Sequence, residues 1–299
     1  MSQKLPISDY RCFFCAVRSF EKLLEKENIP IAAKNNFIID MIELYSKHHD
    51  KLSAPEFSRD LHHILKSYTG NHDPYRSEKL LSNKLALEMA QGMQEMIDRS
   101  DDPFMVALRL AIAGNVIDFA ANHSFDLKRT IEKSLTSGFA IDHSEQLKSA
   151  VMNADTILYL GDNAGEIVFD KLFIKAMLHN NVTYAVRGMP VINDVTVEDA
   201  EFTGMKEVAE VISNGYDAPS TIIGKSSDEF RKRFNDADLI IAKGQGNLEG
   251  LYDLNDKRIF FLLLVKCDVI SDFLRIEKNS FVVLNFSYLK KVIQKVAGI

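Results

Sequence analysis

Three short polar clusters carry the residue types that could do chemistry, and each follows an apolar, β-rich run. "GDNAGE" (residues 161–166) follows "TILYL" (156–160), "RGMPVINDVTVEDA" (187–200) follows "VTYAV" (182–186), and "KGQGN" (243–247) follows "DLIIA" (238–242). The oxygens of Asp162, Asn163 and Asp194 are hard ligands suited to Mg²⁺, Mn²⁺ and similar ions. Zinc fits less well, because no His or Cys occurs in any of the three clusters. Arg187 and Lys243 can neutralise a phosphate. Gly165, Gly244 and Gly246 allow tight turns and close backbone approach. Together these parts suit phosphoryl transfer, where positioning and charge neutralisation do most of the work. Any one cluster reads equally well as a turn with a helix cap. The three together, with complementary chemistry, point to a site.

Those clusters must be held by the elements around them. "TILYL" is short, apolar and β-branched, the pattern of a buried strand, and "EIVFDKLFIKAML" (166–178) has apolar residues at helical spacing. From residue 155 onward such strands alternate with helical segments: "VTYAV", "VAEVI" (208–212), "DLIIAK", "IFFLLLV" (259–265) and "FVVLNF" (281–286) complete the set. This alternation predicts a mainly parallel sheet covered by helices, in a three-layer α/β arrangement. In such a sheet the three clusters share one edge, where ligands of open α/β sheets bind. Residues 8–148 are patterned differently, as successive helices separated by Pro30, Pro55, "GNHDP" (70–74) and "SDDP" (100–103), with Ser53 and Asp102 at helix starts. The fold class is therefore α/β, with a helical domain over 1–149 and an α/β domain over 150–299. Neither G-x-G-x-x-G nor G-x-x-x-x-G-K-[ST] occurs at the first strand end, so the dinucleotide turn and the P-loop are excluded there.

The bulk numbers narrow the partners. In 299 residues, 46% are hydrophobic and 26% charged, an ordinary globular composition whose length favours two domains. A net charge of −6 argues against a general nucleic-acid binder and requires local positive charge for any anionic substrate. No apolar run approaches the ~20 residues of a membrane span, and residues 1–15 have no apolar core of a secretory signal. The expected location is the cytosol. Three cysteines do not make a disulfide framework. Cys12 and Cys15 form C-x-x-C on a predicted helix, and Cys267 follows "FLLLV". They could form a three-thiolate metal cluster or a redox pair, or simply be buried. The eight histidines show no ligand pattern, since the pairs at 48–49 and 62–63 put adjacent side chains about 100° apart on a helix. "GKSSDEFRKRFNDAD" (224–238) reads as a solvated helix, and Glu198 and Asp199 as residues that cap or line a short one.

"LGDNAGEIVFD", "INDVTVEDA" and "KGQGN", in this order and spacing, resemble the damage-control phosphatases, metal-dependent enzymes first catalogued as a domain of unknown function. The likeness extends through "CFFC", "DPYRSEK" and "AGNVIDFA", and the paired cysteines resemble the prokaryotic C-x-x-C branch. The resemblance implies a helical domain packed on a Rossmann-like α/β/α domain with the site between them. It implies one divalent cation (manganese, cobalt, nickel or magnesium) held by Asp162, Asn163 and Asp194. It further implies that Lys243 contacts the substrate phosphate and that Glu166, Arg187 and Asn247 lie near the pocket. Asn115 and Asp118 match a motif that closes over the site. The chain reads "RGMP" before "IND", with Met189 where a second basic residue is expected.

The implied reaction is hydrolysis of phosphomonoesters of small metabolites: sugar phosphates, phosphopantetheine-like intermediates, or damaged versions of either. The metal would polarise the phosphoryl oxygen and Lys243 offset its charge. The attacker is either a water held by the metal or the Asp162 carboxylate. A different phosphotransferase or nucleotidase, a metal- or nucleotide-binding regulatory module without turnover, and a structural protein with capped strand ends are the rival readings.

Overall fold

The computed structural model describes residues 9–116 and 135–288. The helical half follows its sequence punctuation. Helix α1 (Tyr10–Lys26) starts where the Asp9 carboxylate accepts from the Arg11 amide, and α2 (Ile31–His48) follows Pro30. Helix α3 (Ala54–Thr69) begins with a Ser53–Glu56 capping box and ends at Gly70 in the left-handed conformation. Helix α4 (Arg76–Asp98) precedes α5 (Pro103–Ala113), whose first turn is capped by Asp102. A 3₁₀ turn, Gly114–Val116, then carries Asn115. Helices α1–α3 enclose a small core of their own around Phe20, Phe37, Leu61 and Leu65.

The second half alternates strands and helices: β1 (Ile141–Asp142), α6 (Ser144–Asn153), β2 (Ile157–Leu160), α7 (Glu166–Met177), β3 (Val182–Val186), α8 (Val197–Phe202) and β4 (Glu210–Ser213). There follow α9 (Asp228–Asp236), β5 (Leu239–Lys243), α10 (Gly244–Leu251), β6 (Ile259–Leu264), α11 (Asp268–Leu274) and β7 (Phe281–Leu284). The sheet order is β1-β7-β6-β5-β2-β3-β4, parallel throughout except for the antiparallel β6–β7 pair. Strands β2, β3, β5, β6 and β7 are buried at every position, which is why they read as continuous apolar runs. The two edge strands, β1 and β4, are the more exposed ones.

Side-chain alternation splits the core across the sheet. Ile157, Tyr159, Tyr184 and Ile241 point into one layer, shared with Leu108 of α5 and Phe169 and Phe173 of α7. Leu158, Leu160, Ile240 and Ala242 point into the other, against Phe230 and Phe234 of α9 and Leu248 of α10. Helices α4 and α5 thus belong to the packing of the sheet, although they precede it by many residues. The sheet also starts before residue 150: Ile141 and Asp142 pair with Val282 and Val283, and residue 150 lies inside α6. No helix among the described residues is long and apolar enough to cross a membrane.

Chain order reverses beside β2. Strands β3 and β4 are added on one side of it, β5 and β6 on the other. The carboxyl ends of β2, β3 and β5 therefore open onto a topological switch point, the crevice where such sheets bind ligands.

Candidate active site

All three polar clusters meet at that crevice. The chain leaving β2 pairs with the loop after β3 through an isolated antiparallel bridge between Asn163 and Asp194. The Val195 amide donates to the Asp162 carbonyl at 2.8 Å, and the Ala164 amide to the Asn193 carbonyl at 2.9 Å. Backbone pairing, rather than side-chain attraction, thus sets Asp162, Asn163 and Asp194 side by side. The next residue, Gly165, takes φ +78° and begins α7. Third in line, β5 delivers Gly244 at φ +77°, and a Cβ there would lie 1.9 Å from Asp162 Oδ2. Only glycine lets the β5–α10 turn pass this close to the carboxylate.

Two amides hold two carboxylates in place. Asn115 Nδ2 donates to Asp162 Oδ2 (2.9 Å) and Glu166 Oε2 (2.8 Å), and Asn163 Nδ2 donates to the same two oxygens (2.8 and 2.9 Å). The Asn163 nitrogen is committed, so its Oδ1 is the atom left to a cation. Arg187 is 1% exposed; its Nε donates to Asp194 Oδ2 at 2.6 Å, and Nη1 lies near Thr221 Oγ1 and Asn247 Oδ1 (3.3 and 3.2 Å). Asn247 is itself fixed by donating to the Lys243 carbonyl at 2.7 Å. Among the described residues Arg187 Nη2 has no hydrogen-bond partner, and it sits 3.6 Å from Asp162 Oδ1. A buried donor left open beside a carboxylate is costly unless a ligand oxygen completes it.

Beneath these groups lies a second charged layer. Lys243 is fully buried, and its ammonium donates to Glu166 Oε1 (2.7 Å), Asp170 Oδ1 (2.5 Å) and the Ala111 carbonyl (2.8 Å). Three donors meet three acceptors, so no N–H of Lys243 is left for another ligand. Asp170 also accepts from the hydroxyls of Tyr159 and Tyr184, both at 2.8 Å. The family resemblance put Lys243 against a substrate phosphate; in this structure it stands one group behind the floor, under Glu166.

The electrostatics ask for a counter-charge. Among the described residues, four buried carboxylates (Asp162, Glu166, Asp170, Asp194) face two buried cations (Arg187, Lys243), a formal excess of two negative charges with every group ionised. Burial, with repulsion from Glu166 and Asp194, pushes the Asp162 carboxyl well above its ordinary range, against the pull of Arg187. Burial likewise raises Asp170 to about 6, with Glu166 adding and Lys243 opposing. For Lys243 burial acts downward, but Asp170 and Glu166 outweigh it and keep it charged. A divalent cation at Asp162, Asn163 and Asp194 matches the excess, and the all-oxygen donor set suits a hard ion.

The floor opens into a cavity of about 1040 Å³, bounded on the far side by α1. Asn115, Asp162, Asn163 and Asp194 line it; Lys243, Glu166, Arg187 and Asn247 lie behind them. Ile192, next to Asn193 and Asp194, holds φ +45°, a strained value for a β-branched residue, and also faces the cavity. Met189 is exposed. Cys12, Cys15 and Cys267 line the same cavity and are free thiols. Burial pushes Cys12 up to about 12 and raises Cys267, so both stay protonated. Among the described residues no three His, Cys, Asp or Glu side chains gather as a metal-binding group, so the thiolate cluster is not assembled. His62 is a packing residue, its Nδ1 donating to the Ser58 carbonyl at 2.7 Å, while His63 pairs with Asp217. Asp118 lies outside the described residues.

Of the groups that support the floor, sequence reasoning read Asp199 as a helix cap but missed Asn83 and Lys79. Asn83 on α4 accepts from the Gly165 amide at 2.6 Å and donates to Asp199 Oδ1 at 2.9 Å. Asp199 completes a capping box with Thr196 and pairs with Lys79 at 2.8 Å. A polar Asn in an otherwise helical pattern carries no signal of its partner. Asp170 was detectable in principle, as a charged residue amid the apolar face of "EIVFDKLFI", one helical turn after Glu166.

A family model described as the damage-control phosphatase ARMT1-like domain matches residues 8–282. The chain is 35% identical over 278 residues to a damage-control phosphatase of Pyrococcus horikoshii, covering 91% of this chain and 96% of that protein. It is 34% identical over 218 residues to a damage-control phosphatase of Archaeoglobus fulgidus, covering 71% and 75%. It is 36% identical over 234 residues to an uncharacterized protein of Methanocaldococcus jannaschii, covering 75% and 77%. The crystal structure of a DUF89 family protein from Pyrococcus horikoshii matches with a TM-score of 0.84 at 35% identity, over 93% of this chain and 98% of that one. These matches carry the family, not a C-x-x-C branch within it.

Proposed function

Because the chain belongs to the family of damage-control phosphatases with an ARMT1-like domain, we propose that it is a metal-dependent phosphatase. It hydrolyses phosphomonoesters of small metabolites in the cytosol: sugar phosphates, phosphopantetheine-like compounds, or damaged forms of either. The observation that carries the reading, among the described residues, is the formal excess of two buried negative charges at the floor of a large cavity, beside one open arginine donor.

In this reading Asp162, Asn163 and Asp194 hold one divalent cation, Mn²⁺, Co²⁺, Ni²⁺ or Mg²⁺, which supplies Lewis-acid polarisation of a phosphoryl oxygen. Arg187 Nη2 donates to an oxygen of the same group, its guanidinium fixed by Asp194, Thr221 and Asn247. Asn115 and Asn163 keep the Asp162 carboxylate in one orientation. Lys243 acts at one remove: it holds Glu166 and Asp170 in place, so that Glu166 can anchor both amides. The attacking oxygen comes from water or from Asp162 itself. Acid quench during turnover followed by borohydride reduction separates them, since attack by Asp162 leaves an acyl phosphate on its carboxylate and direct attack by water leaves none.

The deciding experiment is phosphate release from a panel of phosphorylated metabolites by metal-stripped protein, with each cation restored in turn, beside Asp194→Ala. Turnover that needs the cation and disappears in the variant is the expected result. Metal binding without phosphate release from any compound would overturn the phosphatase reading and favour a binding module.

A further inference from the structure

Helix α1 forms one long wall of the cavity, and its charges are sorted. Its six charged residues are Arg11, Arg18, Glu21, Lys22, Glu25 and Lys26. The four cations line the cavity and the two acids do not. From Arg11 to Lys26 the wall runs about 22 Å at the rise of an α-helix. Its two ends are neutralised: Arg11 pairs with Asp9 and Asp272, and Lys26 with Glu78. The middle is not. Arg18 and Lys22 make no hydrogen bond or ion pair with any described residue. They stand one turn apart, an arrangement that costs a helix a few tenths of a kcal/mol through like-charge repulsion. Glu21 and Glu25 stand three residues beyond them and offset part of that cost, without lining the cavity.

The opposite wall is mainly acidic, with Lys266 beside four acids on the lining. Asp162 and Asp194 form the floor, where a cation and a phosphate would sit. Of the other acids on the lining, Asp268 is paired with Lys278, and Glu249 lies toward Cys12 and Cys267. The volume of about 1040 Å³ is at the upper end for pockets that take drug-sized ligands, and a single sugar phosphate leaves much of it to water.

We infer that Arg18 and Lys22 form a second anion subsite, so that the substrate is an elongated phosphomonoester with another anionic group at its far end. The inference rests on the phosphatase reading for the group cleaved at the floor, but not for the binding of the far group. The second group is a phosphate or a carboxylate; both are recognised by the same two cations.

The test compares monophosphates of straight-chain α,ω-diols, from butane to decane, with the corresponding α,ω-bisphosphates. The quantities read are kcat/KM for phosphate release and Kd by calorimetry. Two exposed charge contacts give the bisphosphate an advantage of about 5-fold once the chain is long enough to span. The advantage rises with chain length, disappears in Arg18→Ala/Lys22→Ala, and shrinks as salt is added. ω-Carboxyalkyl phosphates run in parallel identify which anion is preferred. Constants are taken per reactive end, because a symmetric bisphosphate has two equivalent ends. Equal values for mono- and bisphosphates at every length would overturn the subsite, as would an advantage that survives in the double variant. If no compound releases phosphate with any cation, the phosphatase reading fails alone, and the Kd values still decide the subsite.

Discussion

Gly244→Ala isolates what the closeness of β5 to Asp162 is worth. Two costs add. The first is conformational: an alanine at φ +77° costs about 1–2 kcal/mol. The second is steric: the new Cβ lies 1.9 Å from Asp162 Oδ2, whereas ordinary contact begins at 3.4 Å. The carboxylate must therefore retreat by the difference, about 1.5 Å, or the turn must move. Metal sites tolerate about 0.2 Å, and a misplacement of about 1 Å costs about 100-fold in rate. Gly70→Ala supplies the control. It sits at φ +66° with nothing within 4 Å of its Cβ position, so it bears only the conformational cost. Urea denaturation, Mn²⁺ calorimetry and phosphate release are measured on both variants. The expected result is a similar loss of stability of about 1–2 kcal/mol in Gly70→Ala with intact metal binding. Gly244→Ala should lose more stability and at least about 100-fold in turnover. If the two variants behave alike in all three assays, Asp162 is not held where the argument needs it.

Three further outcomes follow from the same geometry. Lys243→Met strands Glu166 and Asp170 as unpaired buried charges and should cost about 3–5 kcal/mol by denaturation at pH 8, part of it recovered by adding Asp170→Asn; a variant as stable as the parent would contradict the buried network. Asn83→Ala leaves the Gly165 amide without its acceptor and should cost about 1–3 kcal/mol, with weaker metal binding by calorimetry; unchanged affinity would mean that α4 does not support the floor. Burial depresses His62 to about 4, so the unfolded chain takes up a proton near pH 6.5 that the folded chain refuses until about pH 4. Stability is therefore complete above pH 6.5 and falls on acidification, by up to about 3 kcal/mol at pH 4. His62→Gln should flatten that part of the pH–stability curve, and an unchanged slope would refute the assignment.

The strands were legible because each is buried on both faces: "VTYAV" is β3 residue for residue, and "DLIIAK" contains β5. The order of the polar clusters along a parallel sheet then gave the shared edge. What the sequence hid was pairing. Ile141–Asp142 is two residues long, too short for any period, and is a strand only because β7 lies beside it. The Asn163–Asp194 bridge depends on a backbone turn that no residue type announces. Cation roles were the hardest to read. Lys243 and Arg187 look alike at two strand ends, yet one is saturated by Glu166, Asp170 and a carbonyl while the other keeps an open donor. Solvation and partner count separate them, and both arise only when distant segments meet.

The place of β7 between β1 and β6 has a consequence for synthesis on the ribosome. Strands β2 to β6 can associate in the order in which they emerge, but β1 must wait, because Ile141 pairs with Val282. Until the closing strand arrives, the apolar β6 is an open edge, of the kind that recruits other chains. A premature stop before residue 281 would thus remove two strands while deleting one, and leave every residue of the candidate active site encoded. Such truncated chains should fail by aggregation rather than by loss of chemistry.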